Sequence, residues 1–298
     1  MFKRKSCLAL LFICLICFTT NNLRADQNPD WTTPMAPYRI AGNLYYVGSR
    51  DLASYLVTTP QGLILINSNL TSSGPQIRRS VEKLGFRFSD IKILLISHAH
   101  YDHCAGSSAI KKLTGAKYMV MDADVPVIES GGKGDFQYGA HKEMLYPATK
   151  VDRILHDGEE VRLGNVVLVA HRTAGHTKGC TTWTLKVLQN GKNDSGKTYN
   201  VVIVGSPNVN PGYKLVNNPK YPKMAADFAH QFRILKALPC DIFLGAHGSY
   251  YDMLAKYARL QAGDAMAFVD PSGYQGFVAE RQKAFEAELA RQKQTERK

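Results

Sequence analysis

Ser97-His98-Ala99-His100-Tyr101-Asp102-His103 puts four metal-capable side chains into six residues, immediately after the unbroken apolar run 93–96. Such a run, preceded by Ile91 and Lys92, fits a strand buried on both faces, and its C-terminal end is where a site opens. Residues two apart on extended chain point to the same side, so His98 and His100 can share one target. Asp102 and His103, where the chain turns into the following helix, reach toward a second position. Zinc takes neutral imidazole, carboxylate or thiolate in a roughly tetrahedral set, and a hydrolytic site leaves one coordination position to water. One histidine at a strand end is ordinarily a surface or core residue; the whole HxHxDH pattern is a metal-binding one.

Two further histidines have matching surroundings. His176 lies in Thr173-Ala174-Gly175-His176-Thr177, and His247 in Leu244-Gly245-Ala246-His247-Gly248. Both follow apolar runs and are flanked by glycine or small residues, which lets backbone and metal approach closely. His141, His156, His171 and His230 lack such a setting and are assigned to structure or surface. Six ligands divide into two sites, one of three histidines and one of Asp102 with two histidines. The two metals then lie ~3.5–4 Å apart if they share a bridging hydroxide.

Outward from this cluster the chain alternates short β-type runs with helical periodicity. Runs at 40–47, 53–59 and 62–66, bounded by Gly, Pro, Asn or Asp, predict a meander of strands. Ile77, Val81 and Leu84 predict a helix over 74–84. Further strands are expected at 117–121, 166–170, 181–187, 199–204 and 241–244. Helices are expected at 224–238, with Phe228, Phe232 and Leu235 on one stripe, at 250–260, and from Gln275 onward. The order strands, helix, strands, helix occurs twice, so two halves can stack their sheets between outer helices. No low-complexity linker or close repeat separates them, which predicts one domain over 26–298.

The first 25 residues pair basic Lys3, Arg4 and Lys5 with an apolar run over 7–18 and a small residue, Ala25, and so read as a secretory signal peptide. The run is shorter than the ~20 apolar residues of a spanning helix, and Ile13 and Ile16 stand before Cys14 and Cys17 where a lipoprotein would carry a small residue. A periplasmic location without membrane attachment after cleavage follows as the expectation. Of 37 basic residues, Lys3, Arg4, Lys5 and Arg24 leave with that segment, so 33 face 25 acids and the net charge falls from +12 to +8. The remaining charges are interleaved, which excludes a nucleic-acid surface and leaves a modest pull on anionic small molecules. Cys104, Cys180 and Cys240 remain, an odd number that excludes a disulfide scaffold.

The HxHxDH motif, the later Gly175-His176-Thr177 and the final His247 resemble the metallo-β-lactamase superfamily over about residue 38 to the end of the chain. The resemblance implies a four-layer αββα sandwich of α/β class with the metals in a groove at one edge. It implies that His98, His100 and His176 hold a first zinc ion and that Asp102, His103 and His247 hold a second. After the strand at 201–204, glyoxalase II, ribonuclease Z and lactonase members carry an aspartate that bridges both metals; this chain has Gly205-Ser206. Lactamases of subclass B1 carry a cysteine ligand there, whereas Ser206 with Asp102, His103 and His247 looks like subclass B3. Gly42-Asn43-Leu44-Tyr45-Tyr46, Gly131-Gly132-Lys133, Asp135-Phe136 and Asn210-Pro211-Gly212-Tyr213 look like subclass B3 text as well.

The likeness implies hydrolysis of the β-lactam amide by a metal-bound hydroxide, in a monomer whose partner is the small-molecule substrate. Asp102 would orient the attacking group as well as ligate, Tyr213 would donate to the developing oxyanion, and Ser206, Asn208 and Asn210 would bind substrate carboxylate. Residues 130–146, glycine-rich with Phe136, Tyr138 and Tyr146, can wall the groove. Ala174 stands where many relatives have proline, Cys104 where they often have alanine, and Tyr274 where a partner for Cys240 would be expected. Two motifs are set aside: Gly191 to Thr198 matches a phosphate-loop pattern but precedes a strand, and Ser108-Ala109-Ile110-Lys111 lacks the other serine-lactamase motifs. The competing readings are another hydrolase of this superfamily, acting on a thioester, lactone or phosphoester, and a zinc-binding protein without catalysis.

Overall fold

The computed structural model describes residues 28–188 and 196–296. The signal-peptide expectation therefore lies outside the described residues. In chain order the first half contains β1 (Tyr38–Ala41), β2 (Leu44–Tyr46), β3 (Tyr55–Thr59), β4 (Gly62–Ile66), α1 (Gly74–Lys83), β5 (Ile91–Leu95), α2 (Tyr101–Cys104), α3 (Ser107–Thr114), β6 (Lys117–Met121), α4 (Val125–Glu129) and β7 (Arg153–Leu155). The second half contains β8 (Glu160–Leu163), β9 (Val166–Arg172), β10 (Thr181–Leu188), β11 (Thr198–Val204), α5 (Met224–Ala237), β12 (Ile242–Gly245), α6 (Met253–Gln261) and α7 (Pro271–Thr295).

Strands β1 to β7 form one sheet in sequence order, antiparallel up to β4 and parallel beyond it. The second sheet runs β12-β11-β10-β9-β8, with only β11 and β12 parallel. Alternation along β4 explains the layering. Leu63 and Leu65 join Ile77 and Val81 of α1 and Ile110 of α3 on the outer face, while Ile64 and Ile66 join Trp183 and Leu185 of the opposite sheet. Beyond the second sheet, Phe285 of α7 packs on Phe228 and Phe232 of α5. The result is the four-layer αββα sandwich.

Three sequence expectations change. The single run at 40–47 is a hairpin, because Gly42 adopts φ +52° and turns the chain between Ala41 and Leu44. The helix expected at 250–260 is a short 3-10 turn, Gly248–Tyr251, and then α6, separated by Asp252 at φ +52°. The last helix begins at Pro271, four residues earlier than expected, where the Asp270 carboxylate accepts from the Gly273 N–H and caps it. Leu188 pairs with Thr198 across the antiparallel β10 and β11, so the phosphate-loop-like segment joins two strands; residues 189–195 themselves are not described.

Candidate metal centre

The metal-capable residues lie in segments that follow strand ends, with Asp102 and His103 on the short helix α2. After β5, Asn67 Oδ1 accepts from Ser97 N (2.7 Å), and the Ser97 carbonyl accepts from Thr181 N (2.7 Å), which pins the start of the first loop between the two sheets. After β9, Gly175 carries φ +141°, and a Cβ there would stand 2.7 Å from the Phe228 ring. Only glycine lets that turn press on α5 and bring His176 inward. After β12, the backbone at His247 bridges to Leu52.

The structure brings His98, His100 and His176 together, with one candidate ligand atom from each within 4.8 Å of the others. Asp102 and His103 form a second such group, which also includes His98. Asp102 Oδ2 lies 3.1 Å from His103 Nε2 and 3.5 Å from His247 Nε2, so the three residues expected for the second ion meet at one carboxylate oxygen. All are buried except His247, which is nearly so.

Carboxylates and carbonyls behind the imidazoles fix which nitrogen faces inward. His176 Nδ1 meets the Asn208 carbonyl (2.8 Å) and His247 Nδ1 meets Asp51 (2.9 Å), which leaves Nε2 of each for the centre. His100 Nε2 faces Asp135 at 3.6 Å, which turns Nδ1 inward. Burial and the neighbouring imidazoles hold His98 well below the usual histidine range, and His176 is pushed down to about 3. Burial opposes ionisation of Asp102, but His103 and His247 overcome it and hold the carboxyl well below its usual range. Burial is likewise outweighed at His247, where Asp102 and Asp51 push the imidazole up to about 9.

This donor set fits a metal. Among the described residues His98 Nε2 is buried with no hydrogen-bond partner, and neither ring nitrogen of His103 makes a hydrogen bond. Unpaired imidazole nitrogens in a dry site are costly, and the neutral imidazoles of His98 and His176 near the ionised Asp102 are what a divalent cation requires, while His247 would give up its proton on binding one.

A cavity of about 430 Å³ lies above the cluster, with His100, Asp102, His176 and His247 on its floor and Asn208, Asn210, Tyr138, Tyr146, Tyr250 and Trp31 among its walls. Two residues expected there are displaced. Ser206 is fully buried behind the wall, its hydroxyl 3.2 Å from that of Tyr250 and its carbonyl accepting from Gln231. The Tyr213 hydroxyl donates to the His176 carbonyl (2.8 Å) and is buried, so it supports the ligand's backbone instead of facing the cavity. The tyrosine on the wall is Tyr138, whose hydroxyl accepts from Asn210 Nδ2 (3.0 Å) and whose ring lies 5.1 Å from that of His100. Phe136, its neighbour in the glycine-rich segment, packs instead on Tyr213 and Tyr221.

Three aspartates were not singled out as site residues. Asp124 is fully enclosed and accepts from Ala99 N (2.9 Å), Thr177 Oγ1 (2.8 Å) and Gly179 N (2.8 Å), joining the first histidine loop to the second. Asp51 and Asp135 stand behind His247 and His100. Only the Asp135-Phe136 dipeptide offered a signal, by family likeness. Cys104 donates to the His100 carbonyl (3.1 Å), and burial holds its thiol well above the usual range, which makes it a protonated packing residue. Tyr274 donates to the Leu235 carbonyl, and Cys240 is free.

The family pattern of the metallo-beta-lactamase superfamily matches residues 50–187. The structure is similar to the native FEZ-1 metallo-beta-lactamase of Legionella gormanii, at 54% identity and TM-score 0.85 over 88% of this chain and 98% of that one. It is also similar to the class B3 di-zinc metallo-beta-lactamase LRA-12 from an Alaskan soil metagenome, at 37% identity and TM-score 0.82 over 87% and 96% of the two chains. BJP-1, a subclass B3 metallo-beta-lactamase of Bradyrhizobium japonicum, matches at 35% identity and TM-score 0.82 over 90% and 98%. A probable metallo-hydrolase of Burkholderia pseudomallei is 29% identical over 115 residues, which span 39% of this chain and 37% of that protein.

Proposed function

Since the chain belongs to the metallo-beta-lactamase superfamily, in the company of its subclass B3, we propose that it hydrolyses the amide bond of β-lactam antibiotics with the help of two zinc ions. The observation that carries this reading is the convergence of five histidines and Asp102 on one site, with His100, His176, His247 and Asp102 lining the cavity above it, and with Gly205-Ser206 and no bridging aspartate after β11. His98, His100 and His176 would hold one ion, and Asp102, His103 and His247 the other. Bound there, zinc lowers the pKa of water toward neutrality and offsets charge that develops on the substrate.

The chain's own residues then position the reaction. Asp102, ionised and on the cavity floor, accepts a hydrogen bond from the attacking group and aims it at the lactam carbonyl. Tyr138, held by Asn210, presents a hydroxyl to the developing oxyanion or the substrate carboxylate. The Asn208 side chain, on the cavity wall beside Tyr250, contributes a second polar contact. Ser206 and Tyr213 act behind this wall, through Tyr250 and His176.

Purified mature protein should open a cephalosporin ring, lose that activity in chelator and regain it with zinc. Turnover of a thioester or lactone with none on a penicillin, cephalosporin or carbapenem would overturn the assignment. We place the mature chain in the periplasm, with residues 1–25 as its export signal; no helix among the described residues is long and apolar enough to cross a membrane. An intact mass that still includes those residues, measured on protein recovered from the producing cell, would contradict this.

A further inference from the structure

The N-terminal strap over residues 28–33 lies against the second ligand group. Its backbone is tied to the segment before β3: Asp51 N donates to the Asp30 carbonyl (3.1 Å) and Arg50 N to the Thr33 carbonyl (3.0 Å). The Arg50 guanidinium pairs with Asp30 at 2.9 Å. So held, Trp31 faces the cavity, its ring 5.8 Å from that of His247 and 6.2 Å from that of Tyr101.

The indole N–H does not point into the cavity. It donates to Asp51 Oδ2 at 3.0 Å, the same oxygen that faces His247 Nδ1 at 2.9 Å. The other carboxylate oxygen accepts from Ser249 N at 2.9 Å. Asp51 is therefore fixed on both oxygens by a backbone N–H and an indole, and its remaining direction is spent on His247. A carboxylate behind a metal-binding imidazole sets the tautomer, the ring angle and the basicity of the donor nitrogen. A carboxylate free to rotate does none of these well.

We propose that Trp31 is a positioning residue for the second cation site, acting through Asp51 on His247, so that the strap is a working part of the centre. This rests on the reading that Asp102, His103 and His247 hold an ion. Without the indole N–H, Asp51 can turn about its side-chain bond, His247 gains freedom, and the second ion loses affinity while the first does not. His98, His100 and His176 have no contact with the strap among those described, which confines the effect to one site.

The test is zinc uptake by the mature chain, titrated against a chelating fluorophore, for the wild type, Trp31→Phe, Asp51→Asn and the double variant. Phenylalanine keeps an aromatic ring against His247 and Tyr101 while it removes the donor and part of the indole, and a metal-free melting temperature close to that of the wild type would separate loss of the donor from loss of packing. We expect Trp31→Phe to bind the first ion unchanged and the second about 10-fold more weakly. Asp51→Asn should lose more, and the double variant should match Asp51→Asn alone, because the indole acts only through that carboxylate. Unchanged second-ion affinity in Trp31→Phe overturns the proposal. So do effects of the two substitutions that simply multiply, or a wild-type chain that takes up one ion. Because metal affinity is read without substrate, a chain that behaves as expected here but opens no β-lactam would refute the proposed activity alone.

Discussion

Asp124 has one carboxylate and three donors from two loops, Ala99 N, Thr177 Oγ1 and Gly179 N, all in a site closed to water. Its side chain sets the distance between the strand end that carries His98 and His100 and the turn that carries His176. Burial pushes the carboxyl up to about 6, and the three donors resist that rise. Asp124→Asn would turn an NH₂ toward at least one donor and leave it unpaired, at a cost of about 1–3 kcal/mol, measurable by denaturant unfolding of the metal-free protein. Gly175→Ala should cost a similar 1–3 kcal/mol by overpacking against Phe228, and should weaken metal binding because His176 is the next residue. Neither Asp124 nor Asp51 could be singled out in the sequence: an isolated aspartate near a turn looks like any capping or surface acid. The six metal-capable residues could be, because their types, spacing and glycine-rich surroundings are local properties. The direction of a hydroxyl is not local, and for that reason the substrate contacts expected of Ser206 and Tyr213 do not match where their hydroxyls point, whereas Tyr138 lines the cavity as the wall segment 130–146 predicts.

At the level of elements, α7 is tied to the loop that follows β11. Gln292 donates to the Tyr213 carbonyl (2.8 Å) and accepts from Leu215 N (2.7 Å), so the helix end holds the segment that backs His176. Glu288 orients that glutamine, accepting from its Nε2 (2.7 Å) and from Arg291. The Arg291 guanidinium and Gln292 hold the Glu288 carboxyl down to about 2, below its ordinary 4.5. A depressed folded-state pKa gives stability that is present above 4.5 and lost as the pH falls through 2. The last turns of α7 should therefore show lower amide protection at pH 2.5 than at pH 6, once exchange is corrected for its intrinsic pH dependence, and Glu288→Gln should flatten that difference. The charged periodicity of this helix was legible from Gln275 onward, whereas its start depends on the Asp270 cap. Strands β7 and β8, of three and four residues, and the five-residue helix α4 are absent from the sequence expectations. Segments so short carry too little periodicity to stand out, and it is pairing with β6 and β9 that makes the two runs strands.

For the whole molecule, the candidate ligands come from the segments after β5, β9 and β12, on both sheets, so an ion bound there and the fold would stabilise each other. An ion that binds only the folded chain raises its stability by about 4 kcal/mol when free metal is 1,000 times Kd. Chelation should lower the melting temperature and zinc should restore it; a melting curve indifferent to chelator would show that the cluster holds no ion.

The order of residue types along the chain was enough to specify the layers and the donor set, because burial alternates with period two along strands and with 3.6 along helices, and because metal chemistry selects a few side chains. Which donors lie near one another, which nitrogen each imidazole turns inward, and which tyrosine lines the cavity were decided only when loops far apart in sequence closed on one another. Those choices depend on hydrogen bonds such as His247 to Asp51 and Tyr213 to His176, between residues up to 196 positions apart.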